Sequence, residues 1–298
     1  MSRMPAKLPR TEGARELLLG LVLGGVLLVG VGLAAWISQS AGNARQEAAD
    51  ILQTLRDKGL AAYWPQDPPE APTEHWYLVR DERGGEGWAM ARRSYDPAGF
   101  YHGLTVRGGP GGIDWERWKL AADLSTGAYI AEDTRRARQG PTWRGGTQIV
   151  LTDAGLTVRQ DTETGPVESH ATSVPGNYVP EGALSAVRLL VAQRQTEIQF
   201  RMIANDVAPG RGDDEPRFVS GTMEFDGVAE RPDAPGARRV SVSLGGRQDI
   251  YTIDETGATL RLEAGPVTWQ RVERAELARR FPDVRRPDVT LGRIPRLP

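Results

Sequence analysis

The sequence predicts a mainly β protein held to a membrane by an N-terminal helix, with one apolar helix packed on an antiparallel sheet. Three observations carry this. Residues 17–37 read LLLGLVLGGVLLVGVGLAAWI, 21 residues without a charge. From His75 to Val272, short runs of period two are separated by Asp, Gly and Pro turns, at intervals of roughly 8–12 residues. Inside that stretch, Pro180–Gln195 alone switches to a helical pattern.

The uncharged run is ~31 Å long as a helix, about one hydrocarbon thickness. Ahead of it stand Arg3, Lys7, Arg10 and Arg15; behind it, up to Ala49, the only charges are Arg45 and Glu47. Lys and Arg stay on the cytoplasmic side, so the N-terminus is expected inside the cytoplasmic (inner) membrane and residues 38–298 outside it. Trp36 marks the outer interface. A cleaved signal peptide is the rival reading, with Ser38 and Ser40 ahead of Ala41. Signal cores run about 7–15 residues, and this one is longer. Gly20 and Gly24 lie at GxxxG spacing, which offers a helix-packing face and a possible homodimer, although glycine is common in any membrane helix.

Ala41–Lys58 reads as a helix with Ala44, Ala48, Ile51, Leu52 and Leu55 on one face and Gly59 as its stop. It is expected as a stalk whose stripe packs on a second copy or on the domain that follows. Pro65, Pro68, Pro69 and Pro72 make a stiff connector. The expected organisation is therefore a basic tail (1–16), membrane helix (17–37), helical stalk (38–62), Pro-rich linker (63–74), β domain (75–272) and C-terminal helix and tail (273–298). Within the β domain, helix 180–195 starts at a proline. Leu184, Val187, Leu190 and Val191 make it apolar, so it wants a sheet to cover it. Arg188 is expected on its solvent side.

Strands of the form His75-Trp76-Tyr77-Leu78-Val79, repeated Asp-x-x-Gly turns and the helix entered through Gly176-Asn177-Tyr178-Val179-Pro180-Glu181-Gly182 give residues 75–272 a look similar to the half-barrel of periplasmic lipoprotein carriers. That resemblance implies a curved, half-barrel-like sheet cradling helices over an apolar cavity. It makes Leu184, Val187, Leu190 and Val191 candidate ligand-lining residues, for an apolar ligand or a lipoprotein. A permanent anchor departs from a soluble carrier and argues against shuttling.

Net charge is −2, with no nucleic-acid footprint. Without cysteine the chain has no disulfides, thiol catalysis or Cys-ligated metal. His75, His102 and His170 are far apart and lack H-E-x-x-H spacing; they read as surface or edge histidines. There is no G-x-S-x-G elbow. Gly108-Gly109-Pro110-Gly111-Gly112 lacks the Lys-Ser/Thr of a phosphate cradle and reads as a flexible loop. No cofactor or metal is expected. Arg pairs such as Arg92-Arg93 read as solvated faces. Arg135, Arg136, Arg138 and Arg144, beside Trp143, are the candidate contact for lipid headgroups or an anionic partner. Trp76, Trp88, Trp115 and Trp118 read as sheet core. The expected function is a non-enzymatic binding or assembly domain of the cell envelope. The alternative is an accessory subunit acting through anchor and stalk, with a hydrolase third.

Overall fold

The computed structural model describes residues 38–64, 72–109, 112–136, 142–162, 165–203, 215–231, 233–281 and 284. The tail 1–16, the run 17–37 with Gly20 and Gly24, Arg138, and the C-terminal tail from residue 285 lie outside the described residues. Among the described residues no helix is long and apolar enough to cross a membrane. The chain divides into two units, Met1–Ala44 and Arg45–Pro298. Of the first, residues 38–44 are described and are helical.

The second unit is built on one antiparallel sheet of 14 strands that does not close. Eight strands come first: β1 (Thr73–Asp81), β2 (Glu86–Tyr95), β3 (Phe100–Gly109), β4 (Gly112–Ala121), β5 (Gly127–Arg136), β6 (Thr142–Thr152), β7 (Gly155–Thr162) and β8 (Gly165–Ala171). Six follow the central helix: β9 (Glu197–Ile203), β10 (Phe218–Val228), β11 (Arg238–Leu244), β12 (Arg247–Ile253), β13 (Thr259–Ala264) and β14 (Val267–Val272). Each set pairs with its sequence neighbours, and the two sets join where β1 pairs β14, Trp76 opposite Val272. The edges are therefore β8 and β9.

One strand breaks the period of two. In β3 the alternation is interrupted by Gly103, where an added Cβ would sit 2.1 Å from the Trp118 ring. The glycine is there to make room for a neighbour's indole, so it does not weaken the strand in the usual sense. The glycine-rich run is likewise no open loop at its ends: Gly108 pairs with Ile113 and Gly109 with Gly112, closing a β3–β4 hairpin.

The helix over residues 38–58, α1, turns its apolar stripe to the domain. Ala48, Ile51, Leu52 and Leu55 are buried in one cluster with Val187, Leu190 and Val191 of the central helix α2 (Leu184–Arg194) and with Phe200, Met223 and Val240 of the sheet. Of the two covers the sequence allowed this stripe, the structure uses the following domain. Arg194 ties the helices further, donating to Glu47 and Thr54, each at 2.8 Å. Beyond α1, Leu60 N–H donates to Ala122 O at 2.9 Å, and Trp64 stacks on Trp118 with centroids 5.5 Å apart. The segment read as stalk and start of linker is thus part of the core. Burying each such side chain contributes about 1.5–3 kcal/mol.

α2 follows Pro180 after one 3-10 turn, Glu181–Ala183. It ends at Gln195 in the left-handed conformation, whose N–H donates to Val191 O. The expectation for Arg188 is corrected here. It is buried, with its guanidinium 3.8 Å from the centroid of the Tyr251 ring. A helix apolar nearly all round has no wet side on which to place it. Leu184, by contrast, is only half-buried.

Strand alternation sends the other set of side chains to the opposite face. There Trp76, Leu78, Met90, Leu104 and Val106 are covered by Leu277 of α3 (Arg274–Arg280), with Phe281 and Val284 beside them. Arg274 lies 5.4 Å over Trp76.

Candidate functional site

The side chains read as ligand-lining are packing. Val187, Leu190 and Val191 are buried with Leu184 against them. A cavity between Trp118 and Tyr178, which Pro180 and Gly182 ahead of the helix also line, holds about 20 Å³, room for a water rather than an acyl chain. Arg135 and Arg136 end β5, and Arg144 lies in β6 opposite Thr134. Their side chains are outside the described residues, as is Arg138.

An open cleft lies on the α3-bearing face, across β2, β3 and β4, with a volume of about 500 Å³. Register builds it. Arg92 stands opposite Leu104, and Leu104 opposite Arg117; in the next row Ser94 stands opposite His102, and His102 opposite Lys119. Alternation splits the Arg92-Arg93 pair between faces. Arg93 goes under the helices, 4.8 Å from the Trp64 ring centroid. Arg92 goes into the cleft with Arg117.

Both guanidiniums are partly buried, and among the described residues neither side chain makes an ion pair or hydrogen bond. Arg80, Arg194, Arg247, Arg261, Arg271 and Arg280 each have a carboxylate within 4.0 Å. Burial, then the charge of Arg92, pushes the Arg117 guanidinium below its usual range. Two like charges held close in a partly dry site repel. An anion between them turns that repulsion into two charge-assisted contacts.

The cleft's other wall is fixed by Asp96. It bonds His102 Nε2 at 2.7 Å and accepts the Phe100 N–H at 3.0 Å. Burial raises the Asp96 pKa, but these two bonds and the charges of His102 and Lys119 outweigh it and hold the carboxyl below its ordinary value. Lys119 rests over the Phe100 ring at 3.9 Å. Ser94 faces His102 across the ladder, yet makes no hydrogen bond to the imidazole among the described residues. The bond that activates a serine nucleophile is not made.

Comparison with protein-family models, curated proteins and solved structures finds no match for this chain. The site has to be read from its own chemistry.

The histidines are distributed as follows. His102 is committed to Asp96, and His170 lies 3.1 Å from Glu168 on edge strand β8. His75 departs from the surface-or-edge expectation: β1 is a central strand, and the ring's Nδ1 is buried without a partner among the described residues. Burial first, then Arg271 and Arg93, lower its pKa to about 4 against the opposing pull of Asp254. The folded chain therefore keeps this ring neutral where the unfolded chain, with a pKa of about 6.5, takes up a proton. This contribution to stability is complete above about pH 6.5 and is lost as pH falls toward 4. The urea midpoint is expected to drop between pH 7 and 4.5, and His75→Gln to flatten that drop. A wild-type and a variant profile of equal slope would refute the assignment. Among the described residues no three His, Asp or Glu side chains stand together as a metal site.

Proposed function

We propose that this protein is a non-enzymatic binding domain of the cell envelope. Residues 17–37 tether it to the cytoplasmic membrane, and its sheet curves as a half-barrel around α1 and α2. Its ligand site is the Arg92–Leu104–Arg117 cleft, and the ligand presents an anionic group, phosphate or carboxylate, between the two guanidiniums. The observation that carries this reading is the pair of partly buried arginines on either side of Leu104, neither of which has a carboxylate within 4.0 Å among the described residues, although Glu74 stands opposite Arg92 in the β1–β2 ladder. An unpartnered like-charge pair weakens the fold, and sites that cost stability are where binding is found.

The test follows from that opposition. The full chain in nonionic detergent is titrated with inorganic phosphate and, separately, with vesicles containing an anionic phospholipid. Arg92→Gln and Arg117→Gln should each weaken binding about ten- to a hundredfold, the loss of a charge-assisted contact of about 1.5–3 kcal/mol. Melting temperature should stay level or rise in both variants. Binding to free phosphate assigns a soluble anion, and binding to vesicles alone assigns a headgroup. If the wild type binds neither, or the variants bind as well as it does, the reading fails.

A further inference from the structure

The cleft between Arg92 and Arg117 is larger than a single anionic group needs. Its volume of about 500 Å³ lies among those of sites for small organic molecules, about 300–1,000 Å³, so the anion occupies one end. The other end is lined by Ser94, Asp96 and His102. In the ladder Ser94 and His102 form the row next to Arg92, Leu104 and Arg117, two residues or about 7 Å further along the strands.

The imidazole at that end is held from one side. Its Nε2 is 2.7 Å from Asp96 Oδ2. Asp96 is fixed in turn by the hairpin between β2 and β3. Its Oδ1 accepts the Phe100 N–H, its own N–H donates to Phe100 O at 2.9 Å, and the Gly99 N–H donates to its carbonyl at 3.0 Å. Pro97 stiffens the same turn. A carboxylate only accepts, so it keeps the imidazole proton on Nε2, and the neutral ring presents Nδ1 as an acceptor. Among the described residues neither Nδ1 of His102 nor Oγ of Ser94 makes a hydrogen bond.

Those two atoms select what lies between them. An anion has no proton to give Nδ1, and an ammonium cannot accept from the serine. A hydroxyl donates to Nδ1 and accepts from Ser94, satisfying both. At the arginine end, guanidiniums from β2 and β4 approach from either side of Leu104, with Glu74 on the β1 side of Arg92, away from Arg117. A phosphate monoester divides three terminal oxygens between the two forks and leads on through its fourth. The two oxygens of a carboxylate lie together on one side and serve a single fork best.

We propose, on the anion-binding reading of this cleft, that its ligand is a phosphorylated polyol, with the phosphate between Arg92 and Arg117 and a hydroxyl about 7 Å away between Ser94 and His102. Ser94 and His102 then distinguish one phosphate ester from another, and Asp96 sets which ring nitrogen meets the hydroxyl.

Glucose 6-phosphate and methyl phosphate share the charged group and differ in hydroxyls, so together they separate the two ends of the cleft. Each is titrated into the full chain in nonionic detergent. The wild type should prefer glucose 6-phosphate about tenfold, the effect of two ordinary hydrogen bonds. Ser94→Ala and His102→Phe should each lower that preference to about threefold or less, and Ser94→Thr, which keeps a hydroxyl, should retain it. Should His102→Phe not fold, the two serine variants decide. Arg92→Gln should weaken both esters alike. Vesicles carrying phosphatidylinositol 4-phosphate, set against vesicles carrying phosphatidic acid, make the same comparison for a headgroup, and a preference found only there assigns a membrane-borne polyol. If the wild type binds no ester in either form, the anion-binding reading falls and the polyol with it. If it binds methyl phosphate as tightly as glucose 6-phosphate and shows no preference between the vesicles, or if the preference survives Ser94→Ala, the polyol alone is overturned.

Discussion

Arg188→Asp is expected to unfold the domain, and Arg188→Met to leave it folded. The guanidinium lies on the Tyr251 ring inside the core, and burial is the largest influence on it, lowering its pKa; Tyr251, Tyr77 and Asp249 pull the other way. A carboxylate at the same place loses the stacking, faces Asp249 with like charge and leaves an uncompensated buried ion. Breaking a buried charge in this manner costs about 3–5 kcal/mol, a large share of a domain's stability. Methionine keeps the length that packs on Tyr251 and removes the desolvation cost, so its effect should stay within about 1.5 kcal/mol in either direction. Leu184→Asp, at a half-buried position, should be the milder of the two aspartate changes. Urea midpoints order the three variants. An Arg188→Asp protein as stable as the wild type would remove Arg188 from the core.

Leu52→Asp should be as damaging. Leu52 and Ile51 are at most 1% exposed, within the cluster that joins α1 to α2 and the sheet. Replacing a buried leucine by alanine costs about 2–5 kcal/mol, and a carboxylate there adds the burial of a charge. A chain shortened to residues 63–298 should for the same reason fail to fold cooperatively, because the cover for Val187, Leu190 and Val191 is gone. Circular dichroism and a urea titration of that shortened chain decide the matter. A sharp two-state transition from it would show that α1 is dispensable.

Much of the fold was legible in local pattern. Period two gave most strands, Asp-rich turns gave the hairpins, and Pro180 with its apolar run gave α2. What escaped depended on partners distant in sequence. β3 was hidden because Gly103 serves Trp118 on the next strand. β8, GPVESHA, is short and has Val167 as its one large apolar side chain, in keeping with a place at the sheet edge. The packing of α1 required knowing which of two covers its stripe would take. The cleft was hidden for a related reason. Arg92 looked like half of a solvated pair until the β2–β3–β4 register put it and Arg117 either side of Leu104. Arg188 was misplaced because an amphipathic rule was applied to a helix that has no polar face.

The pairing of β1 with β14 bears on how the chain reaches this state as it is made. Each set of strands is a meander of neighbours, so its hairpins close locally and early. The ladder that unites them, Trp76 with Val272 through Asp81 with Val267, waits for the last strand. Until then β1 keeps a bare edge, and the apolar stripe of α1 lacks the β9–β11 side chains that cover it. The first half of the protein therefore emerges with adhesive surface that only its final residues conceal. A chain that stops short of Val267 leaves β1 and β13 each with one bare edge. Such truncated products are expected to aggregate rather than persist as half-domains.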